Sequence, residues 1–159
     1  MAIEKVREYF RSLGRENDIL EFDVSSATVA LAAEALGCEE AHIAKSMTFN
    51  AAGRTVMVVT AGDVKIDNAK YKQFFGAKAK MLTPDEVDEK IGHSIGGVCP
   101  FALNDGVEVW LDVSLRRFDY VYPACGSSNS AIRLTPAELE EYSHCAGWID
   151  VCKLKEENA

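Results

Sequence analysis

The chain predicts an α+β fold, one domain over residues 1–159 built on a largely mixed sheet. Three observations point there. Strand-like and helix-like segments mix without strict βαβ alternation. No repeat, low-complexity linker or second apolar core interrupts the pattern. A length of 159 residues suits one domain with a sizeable core.

The elements follow in order. Ile3, Val6, Phe10 and Leu13 stand three and four apart with charges between, an amphipathic helix over 3–13 with Gly14 after it. Residues 19–24 alternate, Leu20, Phe22 and Val24 against Glu21 and Asp23, as a strand does. Ser25, Ser26 and Thr28 offer N-caps for a helix through Leu36, closed by Gly37. Residues 44–50 and 55–60 read as a hairpin turning at 51–53. Asp67 caps a short helix through Phe75, ended by Gly76, and 78–82 reads as a short strand. Thr83-Pro84-Asp85-Glu86 starts a helix with a cap, a first-turn proline and a capping box, and runs to about Ile91. Residues 107–113 form a strand behind Asn104-Asp105-Gly106. Strands at 120–125 and 131–134 flank Gly126-Ser127-Ser128-Asn129. Thr135-Pro136-Ala137-Glu138 repeats the capping-box start, with its helix ending near His144. A last strand covers 148–151, and the charged tail from Lys153 frays.

Composition narrows the function classes. Apolar and charged fractions of 48% and 26% are those of an ordinary globular protein. No run is long enough for a membrane span, and the N-terminal stretch carries charges where a signal peptide would need an apolar run. The expected location is the cytoplasm, without a membrane partner. Five cysteines at 38, 99, 125, 145 and 152, with no Cys-x-x-Cys, read as free thiols. A net charge of −8 argues against gripping nucleic acid through the overall field. Yet Lys65, Lys70, Lys72, Lys78 and Lys80 form a locally positive block that could meet phosphates.

Few residues could carry chemistry. In residues 94–103, two glycines, a cysteine, a proline and a phenylalanine follow one another without a charge. Such a loop either turns tightly into the next strand or offers bare N–H groups to a ligand. Strand alternation puts Lys45 on one face with Met47 and Phe49. It either snorkels to water or sets an ammonium in an apolar cleft. Cys99 reads as a small wall residue or as a nucleophile with His93 or His42 as base. Cys38/His42 and Asp63/Asp67 lack further ligands at zinc spacing, so no metal and no cofactor are expected.

Four stretches together resemble one family. They are 28–37 leading to Ile43-Ala44-Lys45-Ser46; Ala61-Gly62-Asp63 with the following helix and Gly76-Ala77-Lys78; Gly96-Gly97-Val98-Cys99-Pro100-Phe101; and 124–139. The resemblance is to the YbaK/prolyl-tRNA synthetase editing-domain family, the aminoacyl-tRNA deacylases. It implies a partly barrel-like sheet with flanking helices. It also implies an enzyme that acts in trans as an aminoacyl-tRNA hydrolase, most of all on tRNA-Pro carrying Ala or Cys. Lys45 and the loop at Gly96 and Gly97 would be catalytic, with water and the terminal 2′-hydroxyl in place of a protein nucleophile. Met47, Val98, Cys99, Pro100, Phe101, Gly126, Ser127, Ser128 and Asn129 would contact substrate. Lys65, Lys70 and Lys72 would meet tRNA, with prolyl-tRNA synthetase as a partner that supplies affinity. One departure stands out: several relatives have Gly-x-His where this chain has Gly126-Ser127-Ser128. That leaves open a second reading, a catalytically silent module of the same fold that binds a nucleotide, an amino acid or a synthetase.

Overall fold

A hairpin organises the molecule. The computed structural model describes residues 2–155. After α1 (Ala2–Ser12), β1 (Leu20–Glu21) and α2 (Val29–Leu36), the chain enters β2 (Ile43–Ala51) and returns as β3 (Arg54–Ala61). The two strands pair antiparallel from Ala44↔Ala61 to Ala51↔Arg54. Ala52 and Gly53 turn the chain, both at positive φ, as a two-residue hairpin requires. Val56 to Val59 are fully buried, so β3 is covered on both faces, as its unbroken apolar run dictates.

The remaining elements wrap this pair. In order they are β4 (Val64–Ile66), α3 (Asn68–Phe75), α4 (Pro84–Glu86), β5 (Glu108–Asp112), β6 (Tyr122–Pro123), β7 (Ser130–Ala131), α5 (Pro136–Ser143), β8 (Gly147–Ile149) and β9 (Cys152–Leu154). The main sheet runs β6-β2-β3-β5-β8 and is mixed: only β2–β3 is antiparallel. Helices pack through aromatic contacts. Tyr71 of α3 meets Phe49 of β2, and Phe10 of α1 meets Phe101 edge-on at 4.9 Å. The α+β class and the mixed sheet agree with the sequence reading, as do the caps. Thr28, Asp67, Thr83 and Thr135 all accept backbone N–H bonds, the last two in capping boxes. The helix from Thr83 continues past α4 as a wider π turn, Val87–Ile91.

Several segments differ from expectation. The strands expected at 120–125 and 131–134 shorten to β6 and β7. The strand at 19–24 shrinks to β1, paired with β7, and Ile19 rather than Leu20 is buried. Beyond Glu21, the Asn129 side-chain amide donates to the Phe22 carbonyl and takes over from the ladder. The segment 78–82 is extended but bridges β2 only at Met81. The tail does not fray at Lys153: β9 pairs with β4, from Val64↔Leu154 to Ile66↔Cys152. Lys70 fastens this ladder, donating to Asp150 and to the Cys152 carbonyl. The rest of the tail lies outside the described residues.

The turn between β3 and β4 is held by a two-pronged pair, Arg117 Nη1 to Asp63 Oδ2 at 3.0 Å and Nη2 to Oδ1 at 2.5 Å. The guanidinium's hydrogen bonds hold the Asp63 carboxyl below the usual carboxylate range. The folded state therefore releases this proton more readily than the unfolded chain. The pair's contribution is complete above the unfolded value, about 3.9, and is lost as the pH falls through the folded value. Asp63→Asn should lower the thermal midpoint at neutral pH, and the gap to wild type should narrow below about pH 4. Melting curves from pH 7 down to pH 3 check this; a gap that stays constant would contradict it.

Candidate active site

The sheet opens where β2 loses its outer neighbour. On that edge β6 pairs only with Ile43 and Ala44. From Thr48 onward residues 80–82 take over, with Leu82 N–H donating to the Thr48 carbonyl and Asn50 N–H to the Lys80 carbonyl. Between them, at Ser46, no described residue pairs with the strand edge. A cleft of about 570 Å³ lies there.

Its walls come from three loops that touch. A Cβ built on Gly96 would lie 3.5 Å from Ala27 Cβ and 3.6 Å from Ser128 Cβ. Gly97 packs still closer: a Cβ there would stand 2.9 Å from the backbone of Gly126 and Ser127. Gly126 in turn presses on the backbone of Ala2 and Ile3 at the start of α1. The glycines thus stack the 94–100 loop, the 126–129 loop and α1 main chain to main chain.

Of the residues expected at the site, Lys45, Met47, Gly96 and Val98 line this cleft. Lys45 is half-buried, and its ammonium forms no ion pair or hydrogen bond with any described residue. Burial, and then the nearby Lys155 ammonium, lower its pKa below that of an ordinary lysine. The N–H groups of Gly96 and Val98 donate to no described residue, whereas Gly97 N–H closes a turn onto the Ser94 carbonyl. Gly97 is buried behind the cleft wall, so its part is packing rather than presenting an N–H.

Other expected residues stand elsewhere. Cys99 and Phe101 are buried in the core, and Pro100 lines a second hollow of about 320 Å³ with Tyr9 and His144. Cys99 Sγ lies 3.5 Å from His93 Nε2, a Cys–His contact that the sequence left open. That ring nitrogen already serves the Phe101 carbonyl at 2.8 Å. Burial pushes the Cys99 thiol up to about 12 and the His93 imidazole down, so neither becomes charged readily. The pair is a core contact, without a thiolate. Cys99→Ala should keep turnover within about 2-fold and cost about 1–2 kcal/mol of stability. On the native protein, alkylation should reach the part-exposed Cys38 and Cys145 before Cys99. Mass-spectrometric mapping of the label checks this, and early modification of Cys99 would contradict it.

The 126–129 loop uses its polar groups internally. Ser127 Oγ donates to Ser130 Oγ or Asn129 Oδ1, Asn129 holds Phe22, and the Ser128 carbonyl accepts from Ser26. Ser130 and Ala131, not 126–129, reach the cleft. Of the three expected tRNA contacts, Lys70 is tied to Asp150, while Lys65 and Lys72 are exposed and unpaired among the described residues. Among the cleft residues to which the sequence assigned no role are Lys155 and Ser46. Lys155 enters through the β4–β9 ladder and donates to the Gly62 carbonyl. Ser46 stands at the open edge, in the stretch next to Lys45.

This arrangement has relatives. A model of the aminoacyl-tRNA editing domain matches residues 24–142. The chain belongs to the aminoacyl-tRNA editing domain family. This editing domain is 56% identical over 154 residues to the uncharacterized protein YwhH of Bacillus subtilis (strain 168), across 96% of this chain and 98% of YwhH. It is 26% identical over 125 residues to a proline–tRNA ligase of Lactiplantibacillus plantarum. That match takes in 78% of this chain but only 22% of the ligase. A crystal structure of a candidate trans-editing enzyme for prolyl-tRNA synthetase has a TM-score of 0.84 at 29% identity, over 98% of both chains. In the described residues, no helix is long and apolar enough to cross a membrane.

Proposed function

We propose that this editing domain is a trans-acting deacylase that hydrolyses the ester of tRNA-Pro mischarged with Ala or Cys. The observation that carries the reading is a half-buried lysine without a counter-ion, Lys45, in one cleft with the unused N–H groups of Gly96 and Val98. The family and the similarity to proline–tRNA ligases support the substrate class.

The chemistry needs no protein nucleophile. Water adds to the ester carbonyl carbon, and negative charge develops on the carbonyl oxygen. The N–H groups of Gly96 and Val98 stabilise that oxyanion, and the Lys45 ammonium orients it. The carbonyl carbon–ribose oxygen bond then breaks, and a proton passes to the ribose oxygen. Phosphates of the tRNA meet Lys155 at the cleft and the exposed Lys65, which stands directly opposite Lys153 in the β4–β9 ladder. Small residues on the walls, among them Ala27, Ala44 and Ala124, exclude large acyl groups by shape. They separate groups that differ by one methylene by only about 1–3 kcal/mol.

The test is a deacylation panel with Ala-, Cys-, Ser- and Pro-tRNA-Pro. Rapid release of Ala or Cys with Pro spared is the expected pattern. Binding of these tRNAs without turnover would replace the enzyme by a silent binding module.

A further inference from the structure

The open edge of β2 has a consequence for how the substrate is held. Strand alternation directs the N–H and C=O groups of Ala44, Ser46, Thr48 and Asn50 toward this outer edge. Ala44 meets β6, Thr48 accepts from Leu82, and Asn50 donates to Lys80. Ser46 alone among these four has no partner there among the described residues. Its hydroxyl is also unusual: Oγ is buried and has no hydrogen-bond partner. Buried polar groups are normally paired, so a buried orphan hydroxyl beside an unpartnered stretch of strand edge marks a place where a ligand completes the bonding.

The free groups at this point are the Ser46 N–H, its carbonyl oxygen and its hydroxyl. The two oxygens can both accept, and together they suit a compact donor with several N–H bonds to give. An aminoacyl ester carries one such donor, its α-ammonium, one bond from the carbon that bears the reacting carbonyl. We propose that Ser46 is a specificity-determining residue, its carbonyl and Oγ accepting hydrogen bonds from the α-ammonium of the aminoacyl group. This rests on the deacylase reading and extends it: the site selects α-amino acyl esters over acyl groups that lack the amine. Glu40 is the one carboxylate on the cleft wall and the competing partner for an ammonium. It is exposed to solvent and lies on the short turn Glu40–His42 that precedes β2.

The experiment compares two esters of one shape, alanyl-tRNA-Pro and lactyl-tRNA-Pro, in which a hydroxyl replaces the α-amine. Wild type should cleave the alanyl ester with kcat/KM at least ~10-fold above the lactyl ester, after correction for their uncatalysed rates. Ser46→Ala should lower the alanyl value about 5-fold and the lactyl value less, since the lactyl hydroxyl has one hydrogen to donate where the ammonium has three. Its thermal midpoint should hold or rise, since an unsatisfied buried hydroxyl is removed; a merely structural serine would give the reverse. Glu40→Gln should leave the discrimination intact. Equal rates on both esters, or discrimination lost in Glu40→Gln and kept in Ser46→Ala, would overturn the assignment.

A binding arm separates this inference from the deacylase reading. The probe is 3′-alanylamino-3′-deoxyadenosine, whose amide is not cleaved, beside its lactylamino counterpart, with the Ser46 carbonyl carbon labelled with ¹³C. A shift of that resonance with the alanyl probe only, in a protein without turnover, would keep Ser46 as the ammonium site and remove the enzyme. Turnover together with an unmoved resonance would keep the enzyme and remove Ser46.

Discussion

Replacing Lys45 by alanine should reduce kcat/KM for mischarged tRNA by at least ~10-fold, about 1.4 kcal/mol of transition-state stabilisation. The ammonium stands in a partly apolar cleft, beside Met47 and Val98, where solvent screens it less than at the surface. No described carboxylate neutralises it, so its field is available to a developing negative charge. The same facts separate function from folding. A half-buried charge without a partner does not stabilise the fold, and the Lys45→Ala midpoint should hold or rise. Lys45→Arg should also be impaired, because a planar fork does not replace a compact point charge in a confined site. Single-turnover deacylation with parallel melting curves reads both quantities. Wild-type rates in Lys45→Ala would make this lysine a snorkelling side chain.

Gly97→Ala should be the most damaging small change to the site. The added methyl would meet the Gly126 and Ser127 backbone at 2.9 Å, and Gly126 is itself pressed against α1. Nothing in that stack is a flexible side-chain end, so the 94–100 loop must move. Overpacking of this kind costs about 1–3 kcal/mol. Displacing Gly96 and Val98 by even an ångström should lower kcat/KM about 100-fold. Gly106→Ala is the control: φ is +90° there, but nothing lies within 4 Å of the added methyl. It should cost about 1–2 kcal/mol of backbone strain and leave turnover alone. Equal activity in the two variants would show that the glycine stack does not position the loop.

What could be read from the sequence was what is local. The capping boxes at Thr83 and Thr135 and the cap at Asp67 are spelled out within four residues, and each helix starts where they say. The β2–β3 hairpin was legible because its two strands are adjacent in sequence. The β4–β9 ladder was not: its strands are three residues long, rich in lysine and separated by most of the chain. Lys155 escaped notice for that reason, since only the ladder brings it to the cleft. Period-two alternation put Lys45 with Met47, but it could not tell where an edge would lose its neighbour, so Ser46, although part of the same stretch, received no role. The glycine-rich loop stood out in the sequence, while the division of labour within it depends on burial. Gly96 and Val98 face the cleft, and Gly97 and Cys99 pack behind it.

The cleft itself is tested most directly by a structure with the uncleavable 3′-alanylamino analogue of the terminal adenosine. Its amide carbonyl stands where the scissile ester carbonyl would be. The carbonyl oxygen should lie about 3 Å from the Gly96 and Val98 nitrogens, with the Lys45 ammonium on the same side. An analogue bound elsewhere, or one whose carbonyl turns away from the 94–100 loop, would contradict the account.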